Sequence, residues 1–265
     1  MILTAENYYS QEADQEYLSV SQYKEFIGTY GRQGCEAAAL AKLRGEWVPK
    51  KTTAMMVGSY IDAYFEGTIE NFQKENPYLF TKKGDLKAEF RKAEDIIQRI
   101  ERDELFMIHL SGDKQVIMTG ELFGAKWKIK MDSYFEGRLI DDLKIMKSLR
   151  EAHWVKDSGY MNFVPFWGYD LQGAVYQAIV EQNTGKKLPF IISAASKEEY
   201  PDIELILVEQ TLMDNALADV ERNVPKILAL KAGEIDPIRC ETCDYCKCTR
   251  VLKRPIWSED LLGIV

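Results

Sequence analysis

Apolar and polar positions change period twice along this chain. Up to about residue 110 the apolar residues recur at helical spacing. The stretch SVSQYKEFIGTYGRQGCEAAALAKLRG, from Ser19, predicts two helices broken around Gly31 to Gly34. GSYIDAYFEG predicts a helix over 58–67 that opens at Gly58 and Ser59. KAEFRKAEDIIQRIERDEL predicts an amphipathic supporting helix over 87–105. The period then shortens to two. KQVIMTGEL (114–122) and AKWKIKMDSYF (125–135) alternate, and a third strand runs from Arg138 to Met146 after a turn at Glu136-Gly137. A helix from about Gly168 to Asn183 follows, then strands over 188–196 and 203–209. Residues 213–233 predict a closing helix, kinked or split at Pro225. Helices, a meander of three strands, a helix, two more strands and a helix predict an α/β sandwich with a mixed sheet flanked by helices. No repeat or low-complexity linker divides the chain. One domain over 1–265 is therefore expected, with a helical N-terminal region over 1–110.

Composition changes this picture little. A chain of 265 residues suffices for one large domain, and 46% hydrophobic with 29% charged residues is ordinary for a soluble globular protein. No apolar run approaches the ~20 residues of a membrane span. The start, MILTAEN, lacks the basic-then-apolar layout of a secretory signal, so a cytoplasmic location without a membrane partner is expected. A net charge of −8 argues against general adhesion to nucleic acid but leaves room for a local basic groove.

The third strand raises a physical question. Arg138-Leu-Ile-Asp-Asp-Leu-Lys-Ile-Met146 mixes residues that want burial with two adjacent carboxylates and a lysine. Charged groups are costly in an apolar setting unless paired or bound to metal. Alternation puts Asp142 and Lys144 on one face. With a three-residue loop, Glu136-Gly137-Arg138, Asp132 of the preceding strand lies opposite Asp142 on that face. With a two-residue loop, Asp141 takes that place. Two carboxylates meeting across neighbouring strands suit Mg²⁺ or Mn²⁺. A lysine one pleat away can orient a water, or take its proton if burial lowers its pKa. Gln172 and Tyr176 share a face of the next helix, as do Asp62 and Glu66 of an earlier one. Lys126, Lys128 and Lys130 alternate in phase with Asp132, and Lys147 and Arg150 follow the third strand, all candidates for contacting phosphates. Phe166, Trp167 and Tyr169 are candidates for stacking on bases or for core. His109 and His153 show no ligand pattern. The segment RPIWSEDLLGIV, 254–265, carries apolar residues whose partner the sequence leaves open.

Five cysteines in a chain without an export signal point to reduced, metal-ligating thiols rather than a disulfide framework. Cys240, Cys243, Cys246 and Cys248 form a C-x2-C-x2-C-x-C run, with Cys35 far upstream. Such a run points to Zn²⁺ or iron–sulfur ligation.

Together these features resemble the PD-(D/E)XK nuclease superfamily, in its RecB-like branch, and within it the phage-type, exodeoxyribonuclease VIII-like exonucleases with an iron–sulfur staple. The resemblance runs from Ser19 to Leu252. Asp132 matches the first acidic position, Asp142-Leu143-Lys144 the (D/E)-x-K, and Gln172 with Tyr176 the Q-x-x-x-Y motif. Gly58 to Asp62 falls where the branch has G-x-x-x-H, so Asp62 replaces a histidine and Glu66 can share its role. The resemblance implies a restriction-endonuclease-like core and metal-dependent hydrolysis of DNA. Asp132, Asp142 and Asp62 would hold Mg²⁺ or Mn²⁺, with Glu121 as a further acid. Lys144 would position the attacking water, and Gln172 and Tyr176 would contact the strand. Cys35, Cys240, Cys243 and Cys246 would hold a [4Fe-4S] cluster, with zinc as the alternative metal and Cys248 competing with Cys246. That set would close residues 240–248 onto the N-terminal region. The implied substrate is linear DNA with a free end, in phage-type recombination or repair beside a single-strand annealing protein. The rival reading is a non-catalytic DNA-binding scaffold that keeps the fold and the cluster; Asp62 in place of histidine favours it.

Overall fold

The computed structural model describes residues 1–252 and 254–262. Among them, the central sheet has four strands, in the order Ile203–Leu207, Phe190–Ser196, Leu139–Met146, Ser133–Phe135. The middle pair is parallel, with Asp142 beside Ile192, and both outer pairs are antiparallel. A parallel pair needs a crossover, and the helix Tyr169–Thr184 supplies it. This is the mixed sheet flanked by helices that the sequence predicts.

Alternation along the central strand sends its side chains into two separate cores. Ile140 and Met146 join Phe190, Ile192 and Ala194 under the helices Tyr169–Thr184 and Gln210–Ala232, whose Val175, Ile179, Val220 and Val224 are fully buried there. Leu143 and Ala195 face the other way, onto Ile61 of the helix Thr53–Phe65 and Ile96 and Ile100 of the helix Ala88–Glu101.

Three local expectations change. The hairpin Val116–Leu122/Ala125–Met131 is a two-stranded ladder of its own rather than the first part of a continuous meander. The chain leaves that ladder at Asp132 and pairs with the central strand from Ser133 onward. The helix carrying Asp62 begins at Thr53, because the Thr52 hydroxyl accepts the Met55 N–H at 3.2 Å, so Gly58 lies inside it rather than at its start. The closing helix runs unbroken from Gln210 to Ala232 through Pro225. Pro225 is exposed while Val224 and Ile227 are buried, so the missing hydrogen bond faces water and the buried side of the helix stays intact. Among the described residues no helix is long and apolar enough to cross a membrane. Of the segment 254–265, residues 263–265 lie outside the described residues.

Gly173 sets how close the crossover helix lies to the sheet. A Cβ there would come within 2.6 Å of Phe190 Cδ1 and 2.9 Å of Met213 Sδ. This contact seats Gly173, the neighbour of Gln172, directly over the strand Phe190–Ser196. Gly173→Ala is expected to destabilise the protein by about 1–3 kcal/mol through overpacking, read as a lowered urea midpoint with an unchanged slope.

Candidate active site

The ladder between Ser133–Phe135 and Leu139–Met146 pairs Phe135 with Leu139, Tyr134 with Ile140 and Ser133 with Asp141. The loop is therefore Glu136-Gly137-Arg138, and Asp132 falls next in line, opposite Asp142. The ladder stops there, and a side chain continues it: Asp132 Oδ2 accepts the Leu143 N–H at 3.1 Å. Gln115 Nε2 donates to Asp132 Oδ1 at 3.3 Å. Asp142 is almost fully buried, accepts from Gln172 Nε2 at 2.6 Å and forms an ion pair with Lys144. Asp62 joins these groups from the other core's helix. Asp62, Asp132, Asp142 and Lys144 all line one cleft of about 340 Å³.

Electrostatics in this cleft are crowded. Burial, then Asp142, holds the Asp132 carboxyl well above the usual carboxylate range. Burial pushes Asp62 up to about 7, with Lys144 opposing and Glu66 and Asp142 adding to the rise. Glu66 is raised by burial, and with Lys114, Asp62 and Asp132 it lines a small adjoining cavity. Burial alone would push the Lys144 ammonium down, but Asp142 and Asp132 outweigh it and the net shift is upward. The two carboxylates thus favour a charged Lys144, the opposite of the lowering that burial alone would produce. Asp62, Asp132 and Asp142 are hard-oxygen groups of the kind a divalent cation takes, and they line the same cleft, but among the described residues only the cysteine set brings its ligand atoms within 4.8 Å of one another.

The neighbouring acid serves the opposite face. Asp141 Oδ2 meets His109 Nδ1 at 2.7 Å, which ties the helix Glu104–His109 to the sheet. Burial pushes Asp141 up to about 6, against the neighbouring Ser193 hydroxyl and His109, which lower it. His109 is structural, as its sequence context suggests.

Several expected site residues lie elsewhere or are already engaged. Glu121 is exposed, five residues beyond the Val116 end of its strand and so about 17 Å along it, which removes it from the acid cluster. Lys128 is 2% exposed, and its ammonium is spent on the Tyr8 carbonyl at 2.5 Å and Asp14 at 2.7 Å, so it does not reach phosphate. Lys126 pairs with Glu16 at 3.2 Å. Lys130 lies over the rings of Tyr8 and Tyr9 and lines the cleft. Lys147 is exposed, 3.6 Å from Glu151. Gln172 and Tyr176 both line the cleft and are engaged within the protein: Gln172 holds Asp142, and the Tyr176 hydroxyl donates to the Lys130 carbonyl at 3.1 Å.

Two groups were not visible from spacing. Lys114 sits among Glu66, Asp132 and Asp141, and its only sequence signal is its position just before an alternating strand. Lys24 donates to the Trp167 carbonyl at 2.9 Å, and burial, then Lys144, pushes it down to about 7. The Tyr169 ring lies 5.0 Å from Lys24 Nζ and 5.4 Å from Lys144 Nζ, between the two cations.

The cysteines form a second centre. Cys35 Sγ lies 3.6 Å from Cys246 Sγ, and Cys240 Sγ lies 3.9 Å from it. The Sγ atoms of Cys35, Cys240, Cys243 and Cys246 are all within 4.8 Å of one another, a set able to hold a metal ion. Cys248 is exposed and outside it. Burial raises the Cys240 thiol, but the Thr242 hydroxyl and the N–H groups of Thr242 and Cys243 outweigh it and bring the thiol down to about 6.

A sheet edge carrying Asp132, Asp142 and Lys144 in this arrangement defines a PD-(D/E)XK-like fold. Comparison with known families agrees: the family described as a PDDEXK-like domain of unknown function (DUF3799) matches residues 19–249, and the chain belongs to it. The chain is also similar to a crystal structure from Eubacterium rectale described as a "putative exonuclease", with 59% identity, a TM-score of 0.97 and full coverage of both chains. No curated protein matches significantly.

The cysteine geometry separates two candidates cleanly. Cys248→Ser is expected to leave bound metal at the parent stoichiometry, while Cys246→Ser loses it, as read by elemental mass spectrometry of anaerobically purified protein.

Proposed function

We propose that this protein is a divalent-metal-dependent deoxyribonuclease that degrades linear DNA from a free end. One observation carries the reading: Asp132 and Asp142 meet across the sheet edge with Lys144 on the same face and Asp62 opposite. A binding module has no need of such a buried acidic cleft. The exonuclease description of the similar Eubacterium rectale structure supports the same activity.

Asp132, Asp142 and Asp62 would hold Mg²⁺ or Mn²⁺. When bound, such an ion supplies an activated water and stabilises charge on the phosphate. Lys144, kept charged by Asp142 and Asp132, orients the nucleophile and offsets negative charge on the phosphate oxygens. Gln172 is a positioning residue: its amide fixes Asp142 Oδ1 and leaves Oδ2 toward Lys144. Lys130 beside Tyr8 and Tyr9 and Lys147 on the other side of Lys144 are the cations available to the phosphates of the strand.

The cysteine set acts as a structural staple between residue 35 and residues 240–246. Zinc–sulfur bonds of about 2.3 Å put the corners of a tetrahedron about 3.8 Å apart. Separations of 3.6 and 3.9 Å favour a single ion of this kind over the [4Fe-4S] cluster expected from the resemblance, whose cube of iron and sulfide would need the thiols to move apart. A role in recombination beside a single-strand annealing protein follows from the resemblance alone.

The test uses end-labelled linear duplex and closed circular DNA with Mg²⁺, Mn²⁺ or EDTA. Loss of the linear DNA only, and only with metal, is the expected result. Asp142→Asn and Lys144→Ala are each expected to slow it at least ~100-fold while circular dichroism stays unchanged. A folded wild-type protein that binds DNA and never cuts it would instead make the chain a DNA-binding scaffold.

A further inference from the structure

Beyond Lys144 the acidic cleft opens into a second, larger hollow of about 810 Å³, and the two share Asp62, Leu143 and Lys144. One wall of the second hollow is aromatic. His153 lies flat on Phe166, with ring centroids 3.9 Å apart and planes 5° from parallel, and Phe166 meets Trp167 edge-on at 4.8 Å. Lys147 and Lys197 line the same hollow. Its charges are mixed, since Glu151 also lines it and pairs with Lys147.

His153 is the first residue of a short hairpin, His153–Val155 paired with Gly159–Met161. Alternation turns the next side chain away from the wall. Trp154 and its cross-strand partner Tyr160 stand 5.1 Å apart and are 66% and 75% exposed. Lys156 and Asp157 follow Val155 in the turn of the hairpin. The hairpin is thus fixed at its root to the cleft wall and offers two large rings to water on its outer face. Two exposed aromatic faces on a hairpin rooted in a cation-bearing groove are the chemistry that receives unpaired bases whose phosphates track the cations.

We propose that the hairpin 153–161 stacks on the terminal bases of DNA and holds the end of one strand unpaired as it enters the cleft. The inference rests on the nuclease reading and deepens it, by naming an opened duplex end as the form of DNA that is engaged. The occupant is a nucleic-acid strand rather than a second protein because the hairpin is rooted, through His153, in the groove that leads to Asp142, and because Lys147 and Lys197 line that groove and Lys156 stands at the hairpin's turn.

The test measures binding of a fluorescent single strand, a blunt duplex and a duplex with splayed ends in Mg²⁺. The parent is the Asp142→Asn protein, in which cleavage is stopped and one acid neutralised. Adding Trp154→Ala with Tyr160→Ala is expected to weaken binding of the single strand and the splayed duplex at least tenfold. Trp154→Phe with Tyr160→Phe, which keeps two aromatic faces, is expected to restore it. Sedimentation checks that the variants keep the parent's oligomeric state. Binding by the Ala variant within twofold of a parent that binds well would overturn the hairpin proposal and leave the nuclease reading intact. A shift of the Ala variant from dimer to monomer would overturn it too, making the hairpin a contact between copies. A parent that binds none of the three DNAs would remove the nuclease reading, and the hairpin's role with it.

Discussion

The hydrogen bond from the Leu143 N–H to the Asp132 carboxylate is where sheet and site become one structure. An edge strand that continued past Ser133 would have covered the flank of the central strand with backbone. Instead the chain changes partners at Asp132: residues up to Met131 pair with Val116–Leu122, and residues from Ser133 pair with Leu139–Asp141. Asp132 thereby replaces a backbone acceptor with a carboxylate, and the flank beyond it is open to form the cleft. The three-residue loop makes this possible. A loop shorter by one residue would put Asp141 opposite Asp132 and turn the lysine and the second acid to different faces. The register therefore fixes the chemistry as well as the fold.

Grouping acids this way raises their proton affinity, and the fold offsets the cost unevenly. Asp142 is supported by Lys144 and Gln172. Asp132 has a backbone N–H and an amide, yet burial and its acidic neighbours still hold it up. Asp62 and Glu66 lean on more distant lysines, Lys144 for Asp62 and Lys130 and Lys114 for Glu66. The cluster has more negative groups than the protein neutralises at close range, an imbalance that the divalent cation proposed above would relieve. Asp141 shows the contrast: one residue away, it is paired with His109 and knits a helix to the sheet.

Much of this was legible in the sequence because it depends on local periods. Two-residue alternation reveals that Asp142 and Lys144 share a face, and the Glu136-Gly137-Arg138 loop decides the partner. The thiols of Cys35 and Cys246 come together across 211 positions of sequence, a pairing that the family resemblance implies and residue spacing does not reach. Where the reading misses, a tertiary contact intervenes. Lys128 keeps step with Asp132 along its strand, but the N-terminal segment folds over it and supplies Asp14 and the Tyr8 carbonyl. Glu121 belongs to a ladder that leads away from the site, and nothing in its own stretch reveals the change of partners at Asp132. Pro225 leaves its helix whole because it faces water, a fact set by what packs on the opposite side. Lys24 was invisible because its environment comes from Trp167, Tyr169 and Lys144, over a hundred residues away.

The two centres are mechanically joined, and the joint is the segment between Ile27 and Cys35. Gly31 lies so close to the aromatic wall that a Cβ would come within 2.5 Å of Phe166, and its N–H donates to the Phe166 carbonyl at 2.8 Å. Four residues on, Cys35 begins the helix Glu36–Leu43 and enters the thiol cluster. Glu36 adds a second tie, accepting the Ile238 N–H at 2.9 Å and pairing with Lys226 at 2.6 Å. On the near side Lys24 reaches the Trp167 carbonyl, so the wall is gripped from both ends of this short segment. A metal held by the four thiols would therefore do more than close a long loop. It would hold the turn that backs Phe166 and Trp167, and through them the aromatic wall of the cleft, in register with Lys144. Such a staple would sit outside the acidic cleft, yet the shape of the groove that leads to the acids would depend on it.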